Sequence, residues 1–180
     1  MRWVLKGLVF ISSYIPVFIM SFLINLSSFK LKDLEKTWES NTYLWMVLIV
    51  IGILSLIVLI LWLYLMKKES EDRTQPRYAL KDIKKYDTEI LIWLLTSIIF
   101  ILTLRPTVIP SIAMNMLLII ITGIYFISNN VLYFNILLII MGYHIYSAED
   151  ETKFIITRKD KESLNFLRCT QIGTSNIFYV

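Results

Sequence analysis

Residues 43–66 read YLWMVLIVIGILSLIVLILWLYLM, and this stretch decides the fold. No charged residue occurs from Ser40 through Met66. Crossing a hydrocarbon core about 30 Å thick takes about 20 apolar residues in a helix. A helix on the surface of a soluble domain keeps a polar face, whereas this segment is apolar all round. Trp45 near one end, and Trp62 with Tyr64 near the other, sit where aromatic belts meet lipid headgroups.

The same pattern recurs on both sides. Gly7 to Phe29, Ile90 to Leu104 and Pro106 to Ala148 also lack charge. Charged residues make up 18% of the 180-residue chain and apolar ones 57%, against roughly 25% charge in an average soluble domain. These runs predict an all-α membrane protein, a bundle of four transmembrane helices over residues 1–130. The spans fall at about 7–26, 43–66, 88–105 and 111–128, with a cytoplasmic loop at 67–87. Arg2 and Lys6 resemble the basic flank of a signal peptide, but the apolar run behind them is too long and has no cleavage pattern. It reads as an uncleaved first span. Within it, Ser12-Ser13-Tyr14-Ile15-Pro16 predicts a kink facing other protein, because serine hydroxyls and packed helices can satisfy the carbonyl that proline frees. Helix packing is the favoured role for Ser12, Ser13, Tyr14 and Pro16, with a ligand site as the alternative. Asn115, near the start of the fourth span, is expected to bond a neighbouring helix. Pro106 and Pro110 bracket a turn before it, with Ser111 as the expected helix N-cap.

Charge distribution sets the topology. Val131 to Met141 is too short for a helical span. With both termini in the cytoplasm, fourteen of the 18 Lys and Arg lie inside, leaving Lys30, Lys32, Lys36 and Arg105 outside. A fifth span would divide them nine against nine, so four spans are favoured. Residues 131–180 then form a small cytoplasmic α/β tail. Val131 to Met141 is expected as an interfacial helix or a buried segment. His144-Ile145-Tyr146 and Phe154-Ile155-Ile156-Thr157 have the β-branched and aromatic content of a hairpin, and Asn176 to Val180 supplies a further strand. Tyr78, Ile83 and Tyr86 suggest a short surface helix with Lys81, Lys84 and Lys85 alongside. Such a basic segment lies at lipid headgroups or serves as a docking surface.

Catalytic chemistry is missing from the sequence. One histidine, His144, cannot form a His pair, and it reads as structural beside Tyr143 and Tyr146. One cysteine, Cys169, excludes an internal disulfide and a cysteine-cluster metal site. Five glycines include no phosphate-binding loop. The expectation is no cofactor, no metal and no enzyme. The spans contain no ionisable group at mid-membrane; Asn25 and Asn115 are neutral, and Arg105 sits at a span end, which disfavours a carrier. Topology and anionic headgroups account for the net charge of +4, so direct nucleic-acid binding is not expected.

Four spans in a chain of this size, a kinked Ser12-Ser13-Tyr14-Ile15-Pro16 helix and a hairpin tail opening Gly142-Tyr143-His144-Ile145-Tyr146 together resemble the membrane subunit of the prokaryotic Kiwa anti-phage defence system. The resemblance implies a homo-oligomer, a tetramer, in the bacterial inner membrane beside a soluble DNA-binding subunit on the cytoplasmic side. It implies that infection is registered at the envelope and passed to that partner. The partner-docking surface would be Lys67 to Glu89 and Tyr143 to Val180, with Arg77, Lys81, Lys84, Lys85, His144 and Arg158 as candidate docking residues. The first function hypothesis is therefore a non-enzymatic sensor or scaffold. The alternatives are a pore-forming effector or a small-solute channel.

Overall fold

The structure is a computed structural model that describes residues 3–71, 77–78, 82–86, 90, 92, 97–129, 131, 133, 135–149, 152–159, 169–171 and 176–180. The first apolar run forms two helices, not one. Helix α1 (Trp3–Ser12) and helix α2 (Ile15–Ile24) meet at a 45° bend. Pro16 stands in the first turn of α2, where its missing N–H costs least. Upstream, Ser12 Oγ donates to the Val9 carbonyl at 2.6 Å and Ser13 Oγ to that of Phe10 at 2.6 Å. Both serines and Tyr14 are buried.

A short amphipathic helix α3 (Leu31–Ser40) leads into α4 (Thr42–Glu71). Asn41 joins them: its Oδ1 accepts from the Leu44 N–H at 3.0 Å, and its Nδ2 donates to the Pro106 carbonyl at 2.8 Å. Helices α5 (Ile98–Thr103) and α6 (Ile109–Ser128) follow. Helices α4 and α6 are long and apolar enough to cross a membrane, and α1–α2 is a third if the bent pair counts as one span. Only 28% of the apolar window of α4 and 22% of that of α6 is buried within the chain. Such exposed apolar faces exceed what a soluble monomer shows to water. The span expected at 88–105 is described at Ile90, at Ile92 and from Ser97 onward.

Ser111 does not cap α6, as the sequence suggested, because the helix begins at Ile109 after Val108. Its hydroxyl instead donates to the Thr103 carbonyl at 2.7 Å and accepts from the Arg105 N–H at 2.9 Å, closing the α5–α6 turn. Asn115 is buried one turn along. Its Oδ1 accepts from Thr103 Oγ1 at 3.0 Å and its Nδ2 donates to the Ser111 carbonyl at 2.9 Å, stitching α5 to α6.

Helix α1 packs on α4 and α6. At Gly123 of α6 an added Cβ would stand 3.0 Å from Cε1 of Phe10, a ring already held by Tyr14 and Phe126. Gly123→Leu should therefore lower stability by about 1–3 kcal/mol through overpacking. Detergent-solubilised protein should show this as earlier thermal aggregation, and an unchanged midpoint would mean that the Phe10 ring is free to move.

After α6, helix α7 (Ile136–Ile140) tucks Ile136 and Leu138 into the same core as Val9 and Phe10. Gly142, at φ +80°, then turns the chain into the sheet, a conformation in which glycine avoids the Cβ penalty. Six strands pair: β1 (Arg77–Tyr78), β2 (Lys84–Lys85), β3 (His144–Ala148), β4 (Lys153–Thr157), β5 (Cys169–Gln171) and β6 (Ile177–Tyr179). Their order is β1-β5-β6-β4-β3-β2, with β4 and β6 parallel and the other pairs antiparallel. The middle two strands are β6 and β4, and β4 forms a hairpin with β3 in which Ile145 lies opposite Ile156.

The segment read as a surface helix instead supplies both edges of this sheet. Arg77 pairs with Thr170, and Lys84 with Ser147. The edges of the tail's strands would otherwise leave backbone N–H and C=O groups without partners, and the loop satisfies them. Ile83 and Tyr86 consequently pack on opposite sides of the sheet. Lys81 lies outside the described residues. Both faces are covered: Ile145, Phe154, Ile156, Ile177 and Tyr179 join the bundle's core, while Tyr146, Ala148, Ile155, Cys169 and Phe178 form a second cluster.

Candidate functional site at the bundle–sheet junction

Two polar devices tie the membrane-like bundle to the sheet. The first is Asn135, which is buried at 1% exposure. Its Oδ1 caps α7 by accepting from the Leu137 N–H at 3.0 Å. Its Nδ2 donates to the Val9 carbonyl at 3.0 Å and to Ser12 Oγ at 2.7 Å. One side chain thus holds the bend of α1–α2 and the start of the element that runs into β3. An asparagine just before the apolar run Ile136–Ile140 is an N-cap signal that the sequence reading passed over.

The second device is a tyrosine pair. Tyr143, just before β3, and Tyr179, in β6, bring their rings together with centroids 6.4 Å apart. The Arg158 guanidinium lies 4.5 Å from the Tyr143 ring centroid, a cation–π contact. Burial, then the neighbouring Tyr143, push the Tyr179 hydroxyl up to about 12; Arg158 opposes this and Glu71 of α4 adds to it. Tyr179 therefore stays neutral across the physiological range, packed in the core that the sheet shares with the bundle. The lower end of α4 lies against β5 and β6.

The candidate docking residues divide. Lys84 and Lys85 are exposed on the edge strand β2, and β3, with a half-buried His144, lies beside it. Arg158 is exposed just past β4, the next strand. These four occupy one side of the sheet. Arg77 belongs to β1 at the opposite edge, five strand spacings away, or about 24 Å at 4.8 Å per strand. Asn25 is half-buried at the other end of the bundle, its Nδ2 donating to the Ser21 carbonyl at 2.8 Å.

Chemically the junction holds elements of the chain in place; among the described residues no group of three or more His, Cys, Asp or Glu is placed to hold a metal. Cys169 is a buried packing residue on the outer side of the sheet. Burial pushes its thiol up to about 11, with Lys159 opposing. Two units above the ordinary 9 leave about 100-fold less thiolate at neutral pH. Maleimide should therefore label the native chain at least 100-fold more slowly than the SDS-denatured chain; equal rates would place the thiol at the surface.

A helical bundle with exposed, membrane-length apolar helices, joined by buried hydrogen bonds to a mixed sheet with a basic edge, is the class these features define. The chain matches the family model described as anti-phage protein KwaA over residues 5–179, and it belongs to that family. A role in anti-phage defence follows, in agreement with the resemblance drawn from the sequence. No curated protein and no solved structure matches it.

Proposed function

We propose that this chain is a non-enzymatic membrane component of anti-phage defence that assembles as a homo-oligomer, senses disturbance of the envelope, and recruits a soluble cytoplasmic partner through its sheet. The observation that carries this reading is the composition of the sheet. Strands from the loop after α4 flank strands from the tail, so chain on either side of α5 and α6 comes together on one side of the bundle. A bilayer crossing scheme must then place an even number of spans between Tyr86 and Tyr143. Two spans fit, in keeping with a four-span arrangement that gathers most Lys and Arg on the sheet side, which the positive-inside rule assigns to the cytoplasm. The buried polar side chains of the described bundle are neutral serines, asparagines and a threonine, which supports a mechanical role over ion handling.

The test is co-purification in mild detergent from cells expressing the chain with the proteins encoded beside it. A soluble partner should be recovered in fixed stoichiometry. Reversing charge at Lys84→Glu and Lys85→Glu should release that partner while membrane insertion and oligomer size stay unchanged. Purification of the chain alone, or partner binding indifferent to the β2 charges, would overturn the reading.

A further inference from the structure

The bend in the first span opens a wedge in the bundle. Helix α1 packs along α4, but the 45° turn carries α2 away toward α5. The gap between α2 and the first half of α4 is an apolar groove of about 350 Å³, lined by residues that include Phe18, Phe22, Trp38, Trp45, Gly52 and Leu56. Gly52 keeps its floor open: a Cβ there would meet nothing closer than Ile15 Cγ1 at 3.8 Å. From Trp45 to Leu56 the groove follows α4 for about 16 Å at 1.5 Å per residue. Half of a hydrocarbon core about 30 Å thick is about 15 Å, the depth of one leaflet.

The end of the groove away from the sheet is not apolar. One turn beyond Phe22 on α2, and next to Trp38 on α3, a polar cleft of about 250 Å³ is lined by residues that include Asn25, Asp33, Lys36, Thr37 and Arg105. Groove and cleft share a wall stitched by Trp45 Nε1 donating to the Thr37 carbonyl at 2.9 Å and Thr37 Oγ1 donating to that of Asn25 at 3.2 Å. The Asp33 carboxylate already accepts from the Ser28 hydroxyl. Lys36 and Arg105 are exposed, and neither forms an ion pair among the described residues.

An apolar slot one leaflet deep, with two cations at its polar mouth and tryptophans at the boundary, matches the shape and charge of one molecule. We propose that the α2–α4 groove holds an acyl chain of an anionic phospholipid from the leaflet opposite the sheet, with Lys36 and Arg105 receiving its headgroup phosphate. This rests on the bilayer-spanning reading above. It makes the bend of α1–α2, held from the other side by Asn135, sensitive to lipid in that leaflet.

Native mass spectrometry of the full chain, released from micelles containing equal phosphatidylglycerol and phosphatidylcholine, tests the proposal. Phosphatidylglycerol should be retained on the order of tenfold better, as two headgroup cations predict. The double variant Lys36→Gln/Arg105→Gln, whose changes are on the surface, should retain both lipids about equally. Gly52→Phe should reduce retention of both by filling the slot. Equal retention of the two lipids by the unaltered chain overturns the proposal. So does a Gly52→Phe variant that changes oligomer mass while keeping its lipid, since the slot is then an interface between copies. If Gly52→Phe does not fold, the charge variant alone decides. Alkaline carbonate extraction separates the two readings: a chain released from membranes defeats the bilayer reading, whereas a chain that stays without lipid preference defeats only the lipid site.

Discussion

Ile156→Asp should leave the chain in the membrane fraction but destroy its sheet and, with it, the partner recruitment proposed above. Ile156 is fully buried, faces the bundle, and pairs with Ile145 on one side and Tyr179 on the other. A carboxylate there would sit among buried apolar side chains, and burying a charge in such a core costs several kcal/mol even after relaxation. A whole domain is stable by only about 5–15 kcal/mol, and a six-stranded sheet with four strands of three residues or fewer has less to spare. Apolar helices long enough to cross a bilayer do not depend on that sheet for insertion.

The measurement is limited proteolysis of membrane vesicles with the sheet side accessible. Unaltered protein should resist cleavage within strands β3, β4 and β6; the variant should be cut in them within minutes, while fragments containing α4 and α6 remain in the membrane. Ile156→Ala supplies the graded control, with an expected loss of about 2–5 kcal/mol from the cavity. A resistant Ile156→Asp sheet would mean that the bundle-facing side is hydrated, and the core described here would be wrong.

The contrast between helices and sheet explains which parts of the fold can be read in advance. Ser40 to Met66 announces itself because a bilayer demands length and apolarity of a single continuous segment, and composition alone carries that information. The β3–β4 hairpin is legible for a similar reason: Ile145, Tyr146, Phe154, Ile155 and Ile156 are neighbours in sequence as well as in space. Strands β1 and β2 are not. Two residues cannot show a period of two, and their partners Thr170 and Ser147 lie beyond α5, α6 and α7 in the chain. Lysines at 81, 84 and 85 look like a helix face when read locally; the pairing of Lys84 and Lys85 with β3 is a long-range fact. Ser111 misled for a comparable reason. A serine near a helix start is usually a cap, yet here its hydroxyl serves the preceding helix's last carbonyl.

The candidate junction shows the same division. Arg158, Lys84, Lys85 and His144 stand out in a sequence as basic residues of the loop and the tail, but only the sheet order reveals that they share one side and that Arg77 does not. Tyr143 and Tyr179 have no signature, because what matters is their mutual contact across four strands of chain. Asn135 did carry a local signal, its position before Ile136, but its bonds to Val9 and Ser12 join opposite ends of the chain and no local rule finds them.

That long-range contact makes Asn135 the site of the second large effect. Asn135→Leu removes an N-cap, typically worth about 1 kcal/mol. It also removes the Nδ2 hydrogen bonds to the Val9 carbonyl and to Ser12 Oγ, at about 1 kcal/mol each. The expected total is about 3 kcal/mol, read as an earlier unfolding midpoint in SDS titration of detergent-solubilised protein. Ser12→Ala alone should cost less, since Asn135 keeps its bond to Val9 and its cap. If the two residues act as one latch, the double variant should lose less than the sum of the singles, with a coupling of about 0.5–3 kcal/mol. Additive losses would show that Asn135 caps α7 without gripping the bend. Because α7 runs directly into Gly142 and β3, a coupled pair means that any force straightening the α1–α2 bend must first break bonds to the element that enters the sheet. The same double variant should therefore uncouple partner recruitment from envelope disturbance, even where Asn135→Leu protein still inserts and keeps its sheet.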